Sequence, residues 1–404
     1  MSGCVYAIAT MDTKENEILF VADRLRELSV PTKVVDVGTR TDSKHTPDIR
    51  IQIDNPEELG RGVAVEQMGH LLEQKFRDPA ILDDCAGVIG IGGSGGTAIV
   101  TRLMRSLPIG LPKVMVSTMA SGNTAPYVDC SDIMMLYSVV DVAGLNPVLK
   151  QVLGNAAAAM AGMVQWQQDD TSKAQSDRST IGMTMFGVTT PCVTAVREAL
   201  EAKGYECLVF HATGTGGRAM EKLVESGYIH AVLDITTTEV ADEIVGGIMP
   251  AGPNRMRTIL GRGLPYVVSV GAVDMVNFGG MESVPPEFRD RNLYQHNEHV
   301  TLMRTTPEEN SQIATWIVDR LNDSDSPFTV VLPTGGVSML DAPGQPFHDP
   351  QADESLFEHI QSRLQMNDNR RLVPSTHHIN DPEFAELLVD EFCKLMPQKT
   401  QRLD

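Results

Sequence analysis

Short apolar runs rich in β-branched residues alternate along the chain with longer stretches whose apolar positions recur every three to four residues. The first pattern predicts buried strands and the second amphipathic helices, because side chains alternate across a strand but return to one helix face with a period of about 3.6. Strands are predicted at Val5–Ala9, Lys33–Val37, Gly87–Ile91 and Lys113–Ser117, and helices at Thr13–Leu28, Glu57–Phe76 and Gly96–Arg105. An Ala- and Met-rich helical stretch from Asn146 to Val164 closes this half. A second series follows, with strands at Thr180–Met185, Glu206–Phe210, Ala231–Ile235, Tyr266–Val270 and Thr329–Leu332. Its helices are expected at Cys192–Ala202, Gly216–Ser226, Glu239–Val245, Asn254–Gly261, Pro307–Leu321, Asp353–Leu364 and Glu383–Lys394.

Strands alternating with helices predict an α/β protein with mostly parallel sheets. Between the two series lies the polar stretch QWQQDDTSKAQSDRS, which has almost nothing to pack. The expected organisation is a Rossmann-like domain over residues 1–165, a linker over 166–179 and a second Rossmann-like domain over 180–404, with the strand ends facing a shared inter-domain cleft. The halves echo each other at an offset of roughly 170–175 residues, a spacing of whole domains.

The sharpest motif is Gly92-Gly93-Ser94-Gly95-Gly96-Thr97, after one predicted strand and before a helix. Bare backbone there lets a ligand approach, and the unpaired amides of a helix start attract phosphate or carboxylate. It matches neither the dinucleotide G-x-G-x-x-G with its acidic residue nor the Walker loop ending in G-K-S/T. Ser117, Thr118, Ser121 and Gly122 end the next strand, where open α/β sheets bind ligands. Thr10, Asp12, Thr13 and Lys14 end the first. Lys14 falls in a first helical turn, where a cation opposes the helix dipole unless an anion is bound.

In the second half, His211, Thr213, Gly214, Gly216, Gly217 and Arg218 form another strand-to-helix loop, with an imidazole and a guanidinium suited to a substrate anion. Thr236, Thr237 and Thr238 end the following strand, and Asn277 lies beyond the one after that. Asp234 and Asp274 join His211 as candidate acid/base residues. His296 and His299 are spaced for a metal pair on a helix, without the third ligand that would make the signal specific.

A formal charge of −20 and 53 acidic against 33 basic residues exclude a nucleic-acid or anionic-membrane surface and leave room for one small anion in a local pocket. Six scattered cysteines give neither a disulfide framework nor a zinc pattern. No run of about 18 apolar residues is present to span a bilayer. A cytoplasmic location is expected.

The segments GIGGSGGT, VMVSTMASG, TMFGVTT, FHATGTGG, LDITTTE, AGPNR, DMVNFG and HVTLMRT, together with Thr10–Lys14 and His378–Pro382, resemble the Tm-one-like ATP-binding family over essentially the whole chain. The resemblance implies two Rossmann-like domains, bound ATP and a homo-oligomer, dimer or tetramer. Its nucleotide loops fall by position on Gly92–Thr97 and Ser117–Gly122, with Thr10–Lys14 nearby. The family's plant member has a further C-terminal barrel whose activity is not carried over. Three functions stay open at this stage. One is an ATP-dependent enzyme, with Mg²⁺, acting on a small anionic metabolite. Another is a nucleotide-independent lyase, hydrolase or isomerase. The last is a non-catalytic nucleotide-regulated module.

Overall fold

The computed structural model describes residues 3–39, 43–55, 58–169 and 178–396. The chain divides into two units, residues 1–174 and 175–404.

The first unit is built on six parallel strands: β1 (Cys4–Ala9), β2 (Thr32–Asp36), β3 (Ile49–Arg50), β4 (Cys85–Gly92), β5 (Lys113–Ser117) and β6 (Met134–Tyr137). Their order across the sheet is β3-β2-β1-β4-β5-β6. Val5, Ala7, Ile89, Val114 and Val116 point to one face and pack under helices Met11–Glu27 and Pro147–Asp169. Tyr6, Ile8, Val35, Val88 and Met115 point to the other and pack under Arg61–Lys75 and Ser94–Ser106. Because both faces are covered, the inner strands β1, β4 and β5 read as near-continuous apolar runs. Helix Pro147–Asp169 extends into the stretch expected to be linker; residues 170–177 of that stretch lie outside the described residues.

The second unit has a six-stranded parallel sheet of β7 (Thr180–Met185), β8 (Glu206–His211), β9 (Ala231–Thr236), β10 (Tyr266–Gly271), β14 (Phe328–Pro333) and β15 (Arg370–Ser375), ordered β15-β14-β10-β9-β7-β8. Between β10 and β14 the chain makes a small antiparallel sheet of β11 (Met275–Phe278), β12 (Leu293–Asn297) and β13 (Val300–Arg304), ordered β11-β13-β12. Two expectations change here. His296 lies in β12 and His299 in the turn to β13, both exposed, so the pair sits on a hairpin and not on a helix. Asn277 lies within β11, fully buried, and not in a loop past a strand.

The echo between halves is topological. In both sheets four parallel neighbours, β2-β1-β4-β5 and β8-β7-β9-β10, follow the same order. Chain direction out of the first strand reverses between β1 and β4 in one unit and between β7 and β9 in the other. A parallel sheet leaves a crevice at the carboxyl end of such a reversal, and ligands bind there.

Candidate functional site

At the reversal in the first unit, β1 runs into Thr10–Lys14 and β4 into Gly92–Gly93, so these two motifs lie on adjacent strand ends. Helix Ser94–Ser106 starts from Gly93 without a side-chain cap. The Thr97 amide donates to Gly93 O at 2.9 Å, so the amides of Ser94, Gly95 and Gly96 precede the first helical bond and have no intrahelical acceptor. Thr97 itself is buried, with Oγ1 2.6 Å from Ser117 Oγ at the end of β5. That bond clamps the glycine turn to the neighbouring strand, while Ser117 Oγ also accepts the Met119 amide. Thr118 is half-buried, and Ser121 and Gly122 are exposed.

The glycines of this turn are not alike. A Cβ at Gly92 would press at 2.9 Å on the backbone of Gly96 and Thr97, so packing requires that glycine. A Cβ at Gly93 would meet nothing nearer than Thr118 Oγ1 at 3.8 Å, and at Gly95 and Gly96 it would make ordinary contacts at 3.4 and 3.5 Å. None of the four has a positive φ. The fold therefore needs one bare residue here, and the sequence supplies four.

Across the crevice Thr10 Oγ1 and Thr13 Oγ1 are 3.1 Å apart, and Asp12 is half-buried. Lys14 interrupts the first helical turn with φ −132° and ψ 28°, and its Nζ donates to Val142 O at 2.9 Å. Asp36, buried at the end of β2, accepts the Met11 and Gly38 amides and pairs with Arg50 at 3.2 Å.

The loop after β8 contrasts with this. Gly214 has φ +79°, and a Cβ there would stand 2.7 Å from Pro250 O. A Cβ at Gly216 would overlap His211 O, and one at Gly217 would overlap the Glu239 carboxylate. Every glycine here is demanded by its neighbours. The Glu239 carboxylate accepts the Gly214 amide at 2.8 Å and Arg255 Nε at 2.6 Å, and Arg218 Nε donates to Gly214 O. Arg255 is wholly buried, with Asp234 at 2.8 Å and Glu221 at 3.3 Å as its other partners. One cation faces three carboxylates. Burial pushes the Glu221 carboxyl up to about 7, and Arg255 only partly opposes it.

The acid/base candidates separate accordingly. Asp234 is fully buried and accepts from Thr184, Arg255 and Tyr266, so it organises the core and presents no surface to a ligand. Asp274 is fully buried too; Ser338 Oγ donates to its Oδ2 at 2.7 Å, and its Oδ1 has no partner. It belongs to a second knot in which Arg304 pairs with Asp341 at 3.4 Å and Asp353 at 2.6 Å. Burial lifts the Asp274, Asp341 and Asp353 carboxyls above the usual range, and Asp341 is raised further by the negative charges of the other two. His211 alone of the three is exposed, its ring edge-on to Phe186 at 5.4 Å. Thr236, Thr237 and Thr238 are buried, with hydroxyls engaged by Thr189, Ser269 O and Met275 O. Asn277 Nδ2 donates to Asp242 at 2.6 Å. Burial pushes Asp242 up to about 6.

The sequence reading gave Arg255, Glu221, Arg304, Asp341 and Asp353 no role. Phe186–Thr189, within the TMFGVTT segment, sits at the second reversal and was likewise given no role. There the first turn of helix Thr190–Ala202 is met from within the unit, as Asn380 Oδ1 accepts the Cys192 amide and Asn380 Nδ2 donates to Val188 O. Burial pushes the Cys192 thiol up to about 12, so this thiol at the helix start is held in its neutral form. Among the described residues, no group of three His, Cys, Asp or Glu side chains is arranged to hold a metal ion. No described helix is long and apolar enough to cross a membrane.

Comparison with known proteins agrees with the two-unit division. The N-terminal domain model of the Uncharacterised protein family (UPF0261) matches residues 3–169, and the C-terminal domain model matches 178–396. The ToMV resistance protein Tm-1 of Solanum lycopersicum is 46% identical over 421 residues, covering 98% of this chain and 56% of its own length. A UPF0261 protein of Rhizobium meliloti is 48% identical over 399 residues, covering 95% and 97%. One of Clostridium tetani is 43% identical over 406 residues, covering 98% and 100%. The chain thus spans a little over half of the tomato relative and nearly all of the bacterial ones. The resemblance drawn from the motifs holds: this chain belongs to the UPF0261 family, together with Tm-1, and contains both of the family's domains.

Proposed function

We propose that this is an ATP-binding protein whose nucleotide phosphates sit on the Gly93–Thr97 turn of the first unit. The observation that carries the reading is the surplus of bare backbone. Gly93, Gly95 and Gly96 leave space that packing does not use, in front of amides without intrahelical acceptors, at a strand-order reversal. Such a helix start favours phosphate through its free N–H groups and its dipole. Thr10, Thr13 and Thr118 supply hydroxyls on the neighbouring strand ends, and Asp12, half-buried on the first of these loops, would face Mg²⁺ carried by the triphosphate. In the second unit, His211 and Arg218 are the exposed groups suited to a small anionic metabolite.

Calorimetric titration of the whole chain with Mg·ATP tests the proposal. Gly93→Val places a branched side chain in the open space while keeping the extended backbone of that residue (φ −82°, ψ −160°). Saturable heat in the parent chain and at least tenfold weaker binding in the variant, with unchanged far-ultraviolet circular dichroism, is the expected result. Equal binding in both would remove the turn from the account. Phosphate release that depends on an added sugar acid would identify an enzyme.

A further inference from the structure

The glycine loops of both units lie at the carboxyl ends of parallel strands. At the opposite edge of the second sheet, where Ser326 and Pro327 lead into β14, a pocket of about 600 Å³ opens between the end of helix Arg257–Arg262 and the end of helix Pro307–Asn322. Three guanidinium groups line it, from Arg257, Arg262 and Arg320, against the carboxylates of Asp323 and Asp325. Three guanidiniums on one pocket stand out in a chain with 33 basic against 53 acidic residues.

Helix ends explain part of this arrangement, because basic side chains complement C-terminal carbonyls. Arg262 Nη2 donates to Glu225 O at 2.8 Å, and Arg320 donates to Trp316 O and Pro253 O at 3.1 and 2.9 Å. They leave two facts over. Arg257 stands 3.7 Å from Asp323, beyond hydrogen-bond range, while more than half exposed. Arg320 Nε is buried and has no partner, although the guanidinium carbon lies over the Trp316 ring, 3.2 Å from its centroid. Burial first, and the like charge of Arg257 second, depress the Arg320 guanidinium pKa by more than Asp319, Glu243 and Asp323 raise it.

We infer that this pocket is a second ligand site, independent of the glycine turn, for a small oxyanion of two or more negative charges such as phosphate or a phosphomonoester. Planar guanidiniums on converging helix ends match the geometry of such a group better than ammonium groups would. A ligand there would bridge the two helix ends and the entry to β14, and so stiffen one side of the second sheet.

The test uses the full chain and inorganic phosphate as the probe, with chloride at equal ionic strength as control. Thermal unfolding is followed against phosphate concentration for the parent, for the Arg257→Gln/Arg262→Gln double variant and for Gly93→Val. The expected result is a saturable rise in midpoint specific to phosphate, at least tenfold weaker in the double variant and retained in Gly93→Val. Loss of the Glu225 contact could lower the double variant's own stability. Arg257→Gln alone then decides, and a binding constant equal to the parent's would overturn the inference. It is equally overturned if chloride reproduces the effect, if phosphate has none, or if Gly93→Val abolishes it.

Discussion

A glycine is the same letter whether it is bare to avoid a neighbour or bare to admit a ligand, and the two loops of this protein divide along that line. The sequence presented Gly92–Gly96 and Gly214–Gly217 both as glycine-rich ligand loops between strand and helix, and only the surroundings of each Cα separate their roles. Gly217 lies against Glu239 and Arg255, which is a buried ion pair at 2.6 Å. Gly217→Ala is expected to lower unfolding free energy by about 3 kcal/mol, since a methyl group there forces apart two groups that cannot find water. Gly93→Ala meets no such obstacle. It exchanges one N-cap residue for a poorer one, a loss of under about 1 kcal/mol. Urea denaturation of the two variants side by side checks the contrast. Equal losses would mean that the second loop's glycines are dispensable after all, and that its ligand role should be reconsidered.

At the scale of elements, the strands and helices were legible because parallel strands buried on both faces and amphipathic helices carry strong periodic signals. Shorter pieces were not. β3 has two residues and β6 has four, too few for a period to register. The hairpin holding His296 and His299 was obscured because residue spacing alone does not separate a turn from a helix face. What the sequence hid altogether is the cluster that ties β9, helix Thr215–Glu225, helix Thr238–Val245 and β10 together, since Arg255, Glu221, Asp234 and Tyr266 meet across 21 to 34 residues of intervening chain. Glu221 of this cluster and Asp242, bonded to Asn277 beside it, set a pH dependence. The folded-state pKa of Glu221 is raised to about 7 and that of Asp242 to about 6, above unfolded values of about 4.3 and 3.9. Between those limits the folded protein binds more protons than the unfolded chain, so stability falls as pH rises from about 4 to about 7. Glu221→Gln keeps an acceptor for the Met256 amide and removes the titration. The variant is expected to show a shallower decline in urea midpoint from pH 4.5 to 7.5 than the parent. A parallel decline would place the proton elsewhere.

The molecule as a whole is two parallel-sheet units that share a run of four strands in one order, and whose apolar clusters are each confined to a single unit. Val5 to Val164 and Tyr6 to Ile133 supply the cores of the first, and all members of the other three clusters lie between Ile181 and Phe392. The separate family matches to 3–169 and 178–396 follow the same partition. A length of about 170 residues is ample for an independent core. Residues 1–169 expressed alone are therefore expected to unfold cooperatively and to retain the ATP affinity of the full chain within about threefold, a difference under about 1 kcal/mol. The glycine turn, its clamp to Ser117 and the Thr10–Lys14 loop all lie inside that fragment. Denaturation followed by circular dichroism, with calorimetric titration of the same sample, reads both properties. A fragment that folds but no longer binds ATP would show that the second unit supplies part of the nucleotide site. In that event the crevice between β1 and β4 would be insufficient for the function assigned to it.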